Sequence, residues 1–214
     1  ETIKTPKRDE KKSPIMFVAR SFDVNKPGTE IDKLVGGVLG GAIKEGTLKI
    51  GDTISILPGT LAEKESKTEW KQITTKIIGI KTGEDSLDQA SPGGSIAILT
   101  SLDPFYVKAD SLRGNIIGHS ENMPPVWNEF LLKTTLLKRI VGESEEKEVQ
   151  AIKLGEPLML NVNSSATIGQ VAQLKKSAIH VKIKIPVCCK KEDRITISRM
   201  IGNRWRLIGF GTIE

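Results

Sequence analysis

The sequence predicts an all-β protein with two β-barrel or β-sandwich domains. Short segments rich in Ile, Val, Leu and Thr alternate with Gly- and Pro-containing turns, as in such folds. No segment has the pattern of a long helix. The polar, proline-bounded stretch 118–125, GHSENMPP, divides the chain into parts of roughly 110 and roughly 90 residues, each large enough to bury its own core.

In the first part, the strand signals are separated by turn residues at Pro58-Gly59, Thr82-Gly83 and Pro92-Gly93-Gly94. The predicted strands are 15–21, 34–43, 53–57, 72–81, 95–99 and 112–117, the last of which closes a first barrel over 14–118. Residues 1–13 are charged and poor in apolar side chains, so we interpret them as a linker from an upstream domain. The segment 59–71 is predicted to be a long hairpin loop outside the strand pattern.

In the second part, residues 119–125 are predicted to be a linker and 126–214 a second β-domain. Segment 127–141 is ambiguous, because some of its apolar residues have helical spacing and others alternate as in a strand. The remaining predicted strands are 157–162, 166–174, 178–186, 194–200 and 205–213.

Composition and charge limit the function classes. A net charge of +6 permits an acidic partner such as RNA but does not identify one. No apolar run is long enough to span a bilayer, so we predict no membrane association. The adjacent Cys188 and Cys189 lack the spacing of a zinc site or disulfide framework, and indicate strand residues in a reducing compartment such as the cytoplasm.

Catalytic chemistry is not apparent in the sequence. His119 and His180 are the only histidines, and neither has a nucleophile or carboxylate in a catalytic pattern beside it. No G-x-x-x-x-G-K-[ST] phosphate loop is present. We therefore predict that the chain as given is not an enzyme and holds no metal or cofactor.

Two motifs carry a family resemblance. RSFDVNKPG, followed by GGVLGGAIKEGTLKIGD, resembles the second domain of translational GTPases, and is most similar to the gamma subunit of archaeal and eukaryotic translation initiation factor 2. ITISR and RWRLIGFG near residue 214 resemble the last strands of that family's third domain. The resemblance implies two β-barrels and a strand at 127–141. It also implies that the GTPase domain, with GTP and Mg²⁺, lies upstream of Glu1 and is missing here.

The resemblance also implies partners. In this family the second domain holds the acceptor end of initiator methionyl-tRNA and docks the alpha subunit, and the beta subunit binds the missing first domain. The small ribosomal subunit is a further expected partner. The positions that match the acceptor-end wall are Phe22, Asp23, Val24, Asn25, Gly36 and Gly37. The alternative is that Phe22 and Val24 are core residues and that Asp23 caps a turn.

Two further surfaces are candidates for contacts. A late arginine cluster is expected to contact RNA or the GTPase domain: Arg194, Arg199, Arg204 and Arg206. The loop 59–71 is expected to dock the alpha subunit through Trp70 with a charged rim of Glu63, Lys64, Glu65 and Lys67. The nearby loop 26–33 is a competing docking surface for the same subunit. Two other functions remain open: domains of an elongation factor, or an unrelated β-barrel interaction module.

Overall fold

The computed structural model describes residues 9–64, 67–142 and 148–214, with the side chains of residues 63–68 left out of the description. The chain divides into two compact units, 1–123 and 124–214, hereafter the first and second units. Most of the predicted upstream linker, residues 1–8, lies outside the described residues. Asp9 is described, and its carbonyl oxygen accepts a hydrogen bond from the Gly46 backbone N–H at 2.9 Å.

The first unit is a closed antiparallel barrel in the strand order β4-β9-β1-β2-β8-β5, closed by pairing of β4 with β5 and extended by β6. Short strands β3 and β7 pair separately. The strands are β1 (Ile15–Phe22), β2 (Val38–Glu45), β3 (Leu48–Lys49), β4 (Thr53–Lys64), β5 (Lys67–Thr82), β6 (Asp85–Leu87), β7 (Gln89–Ala90), β8 (Ser95–Thr100) and β9 (Ile116–Gly118). Short 3₁₀ turns cover Ile31–Lys33, Pro104–Asp110 and Ser120–Asn122.

Alternation along the strands decides which side chains form the core. In β8, Ile96 and Ile98 are buried inside the barrel, whereas the alternating residues Ala97 and Leu99 point outward. In β2, Leu39 belongs to the buried core, whereas Val38 and Gly40 lie on the opposite face, where Val38 is only 7% exposed. The outer face of these strands is therefore lined by small and apolar residues, and the candidate site lies on this face.

The second unit is a closed barrel in the strand order β10-β13-β12-β11-β14-β15. Its strands are β10 (Val126–Leu136), β11 (Pro157–Val162), β12 (Ser165–Leu174), β13 (Ala178–Cys188), β14 (Ile195–Ile201) and β15 (Arg204–Ile213). Inward aliphatic residues such as Leu132, Leu160 and Ile197 are fully buried. In the described part of the chain, no helix has the length and apolar character needed to cross a bilayer.

The structure confirms the predicted all-β class and the two barrels, and 127–136 is a strand. Four local predictions are wrong. Residues 112–115 form a turn before β9, and residues 137–141 follow the end of β10. Residues 34–37 lie outside β2, because the Gly37 N–H pairs with the Leu102 carbonyl oxygen in a loop contact. The segment 59–71 is mostly paired strand rather than loop, since Thr60 to Lys64 pair with Lys67 to Lys71 and lengthen the β4–β5 hairpin.

Candidate functional site

An apolar groove of about 640 Å³ lies on the outer face of the first barrel. It crosses β1, β2, β8 and β5 along one row of paired residues: Phe22 pairs with Val38, Val38 with Leu99, and Leu99 with Gly79. A second row, in which Ala97 pairs with Lys81 and Lys81 with Ser86, continues it toward β6. The lining residues are Phe22, Val24, Val38, Ile50, Ile78, Gly79, Ile80, Lys81, Gly83, Ser86, Leu87, Asp88, Ala97 and Leu99.

Small residues make this face concave. Gly79 carries no side chain, and Ala97 has only a methyl group. A Cβ added at Gly79 would meet Leu99 Cβ at 3.6 Å, which is ordinary van der Waals contact. Because larger side chains surround these positions, the space above them stays open. A glycine inside a strand often marks such a close approach of a ligand.

Phe22 and Val24 form one wall of the groove, and neither is a core residue. Their side chains are 38% and 48% exposed. Ile50 and Ile78 are exposed to a similar extent in the same groove. Exposed apolar side chains that converge on a concavity are typical of ligand sites. Lys81 is the cation and Asp88 the carboxylate among the lining residues.

Asp23 and Asn25 make hydrogen bonds within the protein. The Asn25 side-chain Oδ1 accepts from the Val35 N–H at 2.9 Å, and its Nδ2 donates to the Val35 carbonyl at 2.8 Å. Nδ2 and the Asn25 backbone N–H also donate to Asp23 Oδ1, at 2.7 and 2.9 Å. The pKa of the Asp23 carboxyl is lowered most by the hydrogen bond from the Asn25 backbone and next by the one from the Asn25 side chain. The nearby Lys108 lowers this pKa further.

Gly36 and Gly37 are required by close packing. A Cβ at Gly36 would lie 1.8 Å from the Thr100 carbonyl oxygen, and one at Gly37 would lie 2.5 Å from Val107 Cγ1. Gly37 also accepts hydrogen bonds from the Thr100 N–H and hydroxyl, at 3.0 and 2.8 Å. Close packing inside the barrel therefore accounts for glycine at both positions, and no ligand contact is needed to explain it.

A second set of contacts holds the end of β1. Asp110 accepts two hydrogen bonds from Arg20 Nε, at 2.9 and 3.0 Å, and one from the Ser21 backbone N–H at 2.9 Å. The Arg20 side chain is the main cause of the lowered pKa of Asp110, followed by the Ser21 N–H. Asp110 and the preceding Ala109 both have positive φ angles, of 57° and 54°. The segment that ends in Phe22 is thereby attached to the Pro104–Asp110 turn.

The four arginines of the second unit do not form one cluster. Arg194 precedes β14 and stacks on the Phe210 ring at 4.3 Å, whereas Arg204 is exposed at the opposite end of the β14–β15 hairpin. Arg199 pairs with Glu156 through two hydrogen bonds, and both side chains are about 15% exposed. Arg199 also donates to the Gln150 and Ala151 carbonyls at 2.9 and 3.1 Å. Arg206 in β15 pairs directly with Arg199 in β14, and a Cβ at Gly142 would meet the Arg206 Nη1 at 2.7 Å.

The predicted docking residues lie on the extended β4–β5 hairpin. Trp70 is 36% exposed and pairs across the hairpin with Leu61, which is 54% exposed. The two side chains form an apolar pair on the hairpin. Glu65 lies outside the described residues, and the side chains of Glu63, Lys64 and Lys67 are not described.

The histidines and cysteines show no constellation that would support catalysis. His119 Nε2 lies 3.3 Å from Asp52 Oδ2, and His180 Nε2 lies 3.9 Å from Glu129 Oε2. Cys188 is buried and donates to the Pro124 carbonyl, and burial is the main cause that raises its pKa to about 12. No group of three or more His, Cys, Asp or Glu that could hold a metal ion occurs among the described residues.

The sequence reasoning located one wall of the groove and missed its floor. Gly79, Ala97 and Leu99 of the floor, and Lys81 at the rim, belong to strands that we predicted only as structure. A signal was available: Gly79 interrupts an otherwise aliphatic run, and Ala97 is the small residue between Ile96 and Ile98. Small residues at outward strand positions indicate a surface depression only once the strand neighbours are known.

Comparisons with known proteins agree with this architecture. The family described as "Initiation factor eIF2 gamma, C terminal" matches residues 128–213. Solved structures of similar fold include the elongation factor SelB from Methanococcus maripaludis in complex with the GTP analogue GPPNHP, with a TM-score of 0.69, 16% identity and coverage of 98% of this chain and 44% of that one. A bacterial selenocysteine-specific elongation factor has a TM-score of 0.67 at 20% identity, over 96% of this chain and 28% of that one.

Similarity in sequence is much higher to initiation factors. Translation initiation factor 2 subunit gamma from Pyrococcus abyssi is 49% identical over 212 residues, which is 99% of this chain and 52% of that protein. The corresponding protein from Methanocaldococcus jannaschii is 47% identical over the same shares of both chains. The chain spans about half the length of these relatives. Over that length, the chain belongs to the gamma subunit family of translation initiation factor 2.

Proposed function

We propose that the first unit binds the aminoacylated 3′ end of initiator methionyl-tRNA in the outer groove of its barrel. The observation that carries the proposal is the groove itself, with exposed Phe22 and Val24 along one wall and a floor of small residues. A terminal base offers a flat apolar face that can stack on Phe22. Lys81 at the rim supplies a positive charge for the backbone phosphate.

Family membership supports this proposal, because the protein matched along the whole chain is a translation initiation factor subunit. GTP binding and hydrolysis, and docking of the beta subunit, are proposed for the part of the relatives that this chain does not span. The chain itself is proposed to act without catalysis, as a cytoplasmic binding platform that delivers initiator tRNA to the small ribosomal subunit. For the second unit, Arg204 is the arginine that we propose for contact with RNA, since it is exposed at a hairpin turn.

Phe22→Ala tests the groove. In the gamma subunit that contains this chain, the substitution is expected to weaken methionyl-tRNA binding by about 1–3 kcal/mol, the typical contribution of one stacked base. The measurement is equilibrium binding of labelled methionyl-tRNA, with the unfolding transition recorded beside it. Phe105→Ala is the matched control, because Phe105 is 73% exposed and lies outside the groove.

The groove proposal fails if the Phe22→Ala and Phe105→Ala variants both bind methionyl-tRNA as tightly as the unsubstituted protein does. It also fails if Phe22→Ala unfolds early and loses all partners together, because Phe22 would then act through stability. A selective loss at Phe22 supports the groove.

We further propose that the extended β4–β5 hairpin docks the alpha subunit. Exposed Trp70 and Leu61 would form the apolar centre, and aromatic anchors of this kind dominate many interfaces. The charged residues around the hairpin tip would act mainly on the rate of association.

Calorimetry with the alpha subunit tests this docking surface. Replacing residues 60–68 by a short Gly-Ser turn removes the hairpin extension, and a more conservative variant is Trp70→Ser. Either change is expected to weaken binding by about 2 kcal/mol or more if Trp70 is an anchor. Leu154→Ser, at an exposed position on the second unit, is the control. Unchanged affinity in a folded hairpin variant would remove this surface from the interface.

A further inference from the structure

The segment that carries the groove wall leaves the sheet immediately after Phe22. Phe22 still pairs with Val38 in β2, but Val24 lies beyond the last strand pair of β1. Val24 is 48% exposed, so burial in the core does not fix its position. Some other interaction must hold this wall of the groove.

The Asn25 side chain supplies that interaction. Its amide donates to and accepts from the backbone of Val35, in the manner of a residue in a neighbouring strand. This pairing closes the loop between residues 25 and 35 at its base. Asp23 orients the same amide by accepting from Nδ2, so Val24 lies between two residues that are joined by hydrogen bonds.

We propose that Asn25 and Asp23 are positioning residues that hold Val24 and Phe22 in the geometry that binds ligand, and that neither touches the ligand. This inference rests on the proposed function of the groove. It replaces the expectation, made from sequence, that all residues from Phe22 to Asn25 contact the acceptor end. Both polar atoms of the Asn25 amide already have partners within the protein.

Loss of the positioning contacts lowers affinity by lowering the population of the binding-competent loop. The apparent dissociation constant rises in inverse proportion to that population. Asn25→Ala removes three side-chain hydrogen bonds and is expected to weaken methionyl-tRNA binding about tenfold. Because these bonds lie at the surface, the melting temperature should stay within about 3 °C of that of the unsubstituted protein.

Amide hydrogen exchange at Val35 is the readout that separates positioning from direct contact. The Val35 N–H donates to Asn25 Oδ1, so in the ligand-free protein Asn25→Ala should accelerate its exchange about tenfold or more. Asn25→Asp should also weaken binding, because a carboxylate cannot donate to the Val35 carbonyl and repels Asp23. Adding Asp23→Asn to Asn25→Asp restores an N–H donor between the two side chains, and is expected to recover part of the affinity and of the protection.

The comparison variant for the groove is Gly79→Ala, which adds a methyl group to the groove floor at ordinary contact distance from Leu99. It should weaken binding and leave Val35 exchange unchanged. If Phe22→Ala and Gly79→Ala both leave binding intact, the groove proposal itself fails. If they weaken binding but Asn25→Ala does not, or if Asn25→Ala weakens it without faster Val35 exchange, the positioning role is overturned. Failure of the double substitution to recover any affinity or protection also contradicts it.

Discussion

Both units are closed antiparallel barrels, but they differ in which side chains are left open to solvent. The first barrel exposes apolar side chains, including Phe22, Val24 and Ile78, around an outer groove. On the second barrel, the ion pair of Arg199 with Glu156 is mostly shielded from solvent and also binds two backbone carbonyls. The first barrel thus leaves an apolar surface open to solvent, whereas this arginine of the second barrel is bonded within its own barrel.

This difference separates residues that remain candidates for binding from structural residues of the same chemical type. Aromatic and arginine residues were candidates in both barrels, because both types are common in binding sites. Their contacts distinguish them: Phe22 borders an open concavity, and Arg199 already has four hydrogen bonds. The predictions below test each side of this comparison.

The largest effect is expected in the first barrel, for Gly36→Ala. The added Cβ would lie 1.8 Å from the Thr100 carbonyl oxygen, so β8 or the loop before β2 must move. We expect the first unit to lose about 4 kcal/mol or more of unfolding free energy. Gly93→Ala is the matched control, because nothing lies within 4 Å of its added Cβ. Chemical denaturation of both variants is the measurement, and equal stability would show that this packing is not required.

A smaller loss is expected in the second barrel, for Arg199→Met. Methionine keeps much of the apolar stem but leaves the Glu156 carboxylate and the Gln150 and Ala151 carbonyls without this donor. The cost should be about 2–3 kcal/mol of unfolding free energy. Arg204→Met, at an exposed turn, should change it by less than about 0.5 kcal/mol. Equal effects of the two substitutions would contradict the distinction between the hydrogen-bonded, shielded Arg199 and the exposed Arg204.

The smallest effect concerns Cys188 in the second barrel. Its folded pKa is raised to about 12 from a reference of 9.0, so its proton is retained in the folded state after the unfolded thiol has ionised. The contribution of this thiol to stability is therefore constant below pH 9 and falls as the pH rises above it, by about 1.4 kcal/mol per pH unit. Between pH 8 and pH 10, the unsubstituted protein should lose about 1 kcal/mol more than Cys188→Ala. Urea unfolding of both proteins across this pH range measures the difference, and parallel pH profiles would refute it.

The all-β class could be predicted because strand alternation and turn residues are local signals, whereas the choice of barrels and the strand at 127–136 came from the family resemblance. The sequence-based predictions failed where the structure depends on contacts between strands or between distant residues. Residues 59–71 looked like a loop because they are polar, yet they pair with each other across a hairpin. Residues 34–37 looked like part of a strand, although Gly36 packs against Thr100, which is distant in sequence.

The site was predicted in part for the same reason. The motif around Phe22 could be recognised, but the groove floor is assembled from β2, β5 and β8, whose register the sequence does not specify. The hydrogen bonds between Asn25 and Val35 also span ten residues of loop, so the structural role of Asn25 became visible only in the folded chain. Spacing along the sequence likewise suggested one arginine cluster, but the β14–β15 hairpin places Arg194 and Arg204 at its opposite ends and pairs Arg199 with Arg206 between them.

The pairing of each barrel's first strand with its last has a consequence for synthesis on the ribosome. In the first barrel, β1 pairs with β9, and in the second, β10 pairs with β15. Neither barrel can close before its last strand has emerged from the exit tunnel. The first barrel is complete at Gly118, so it can fold while the second is still being translated. The groove would then be formed on a nascent chain whose second barrel does not yet exist.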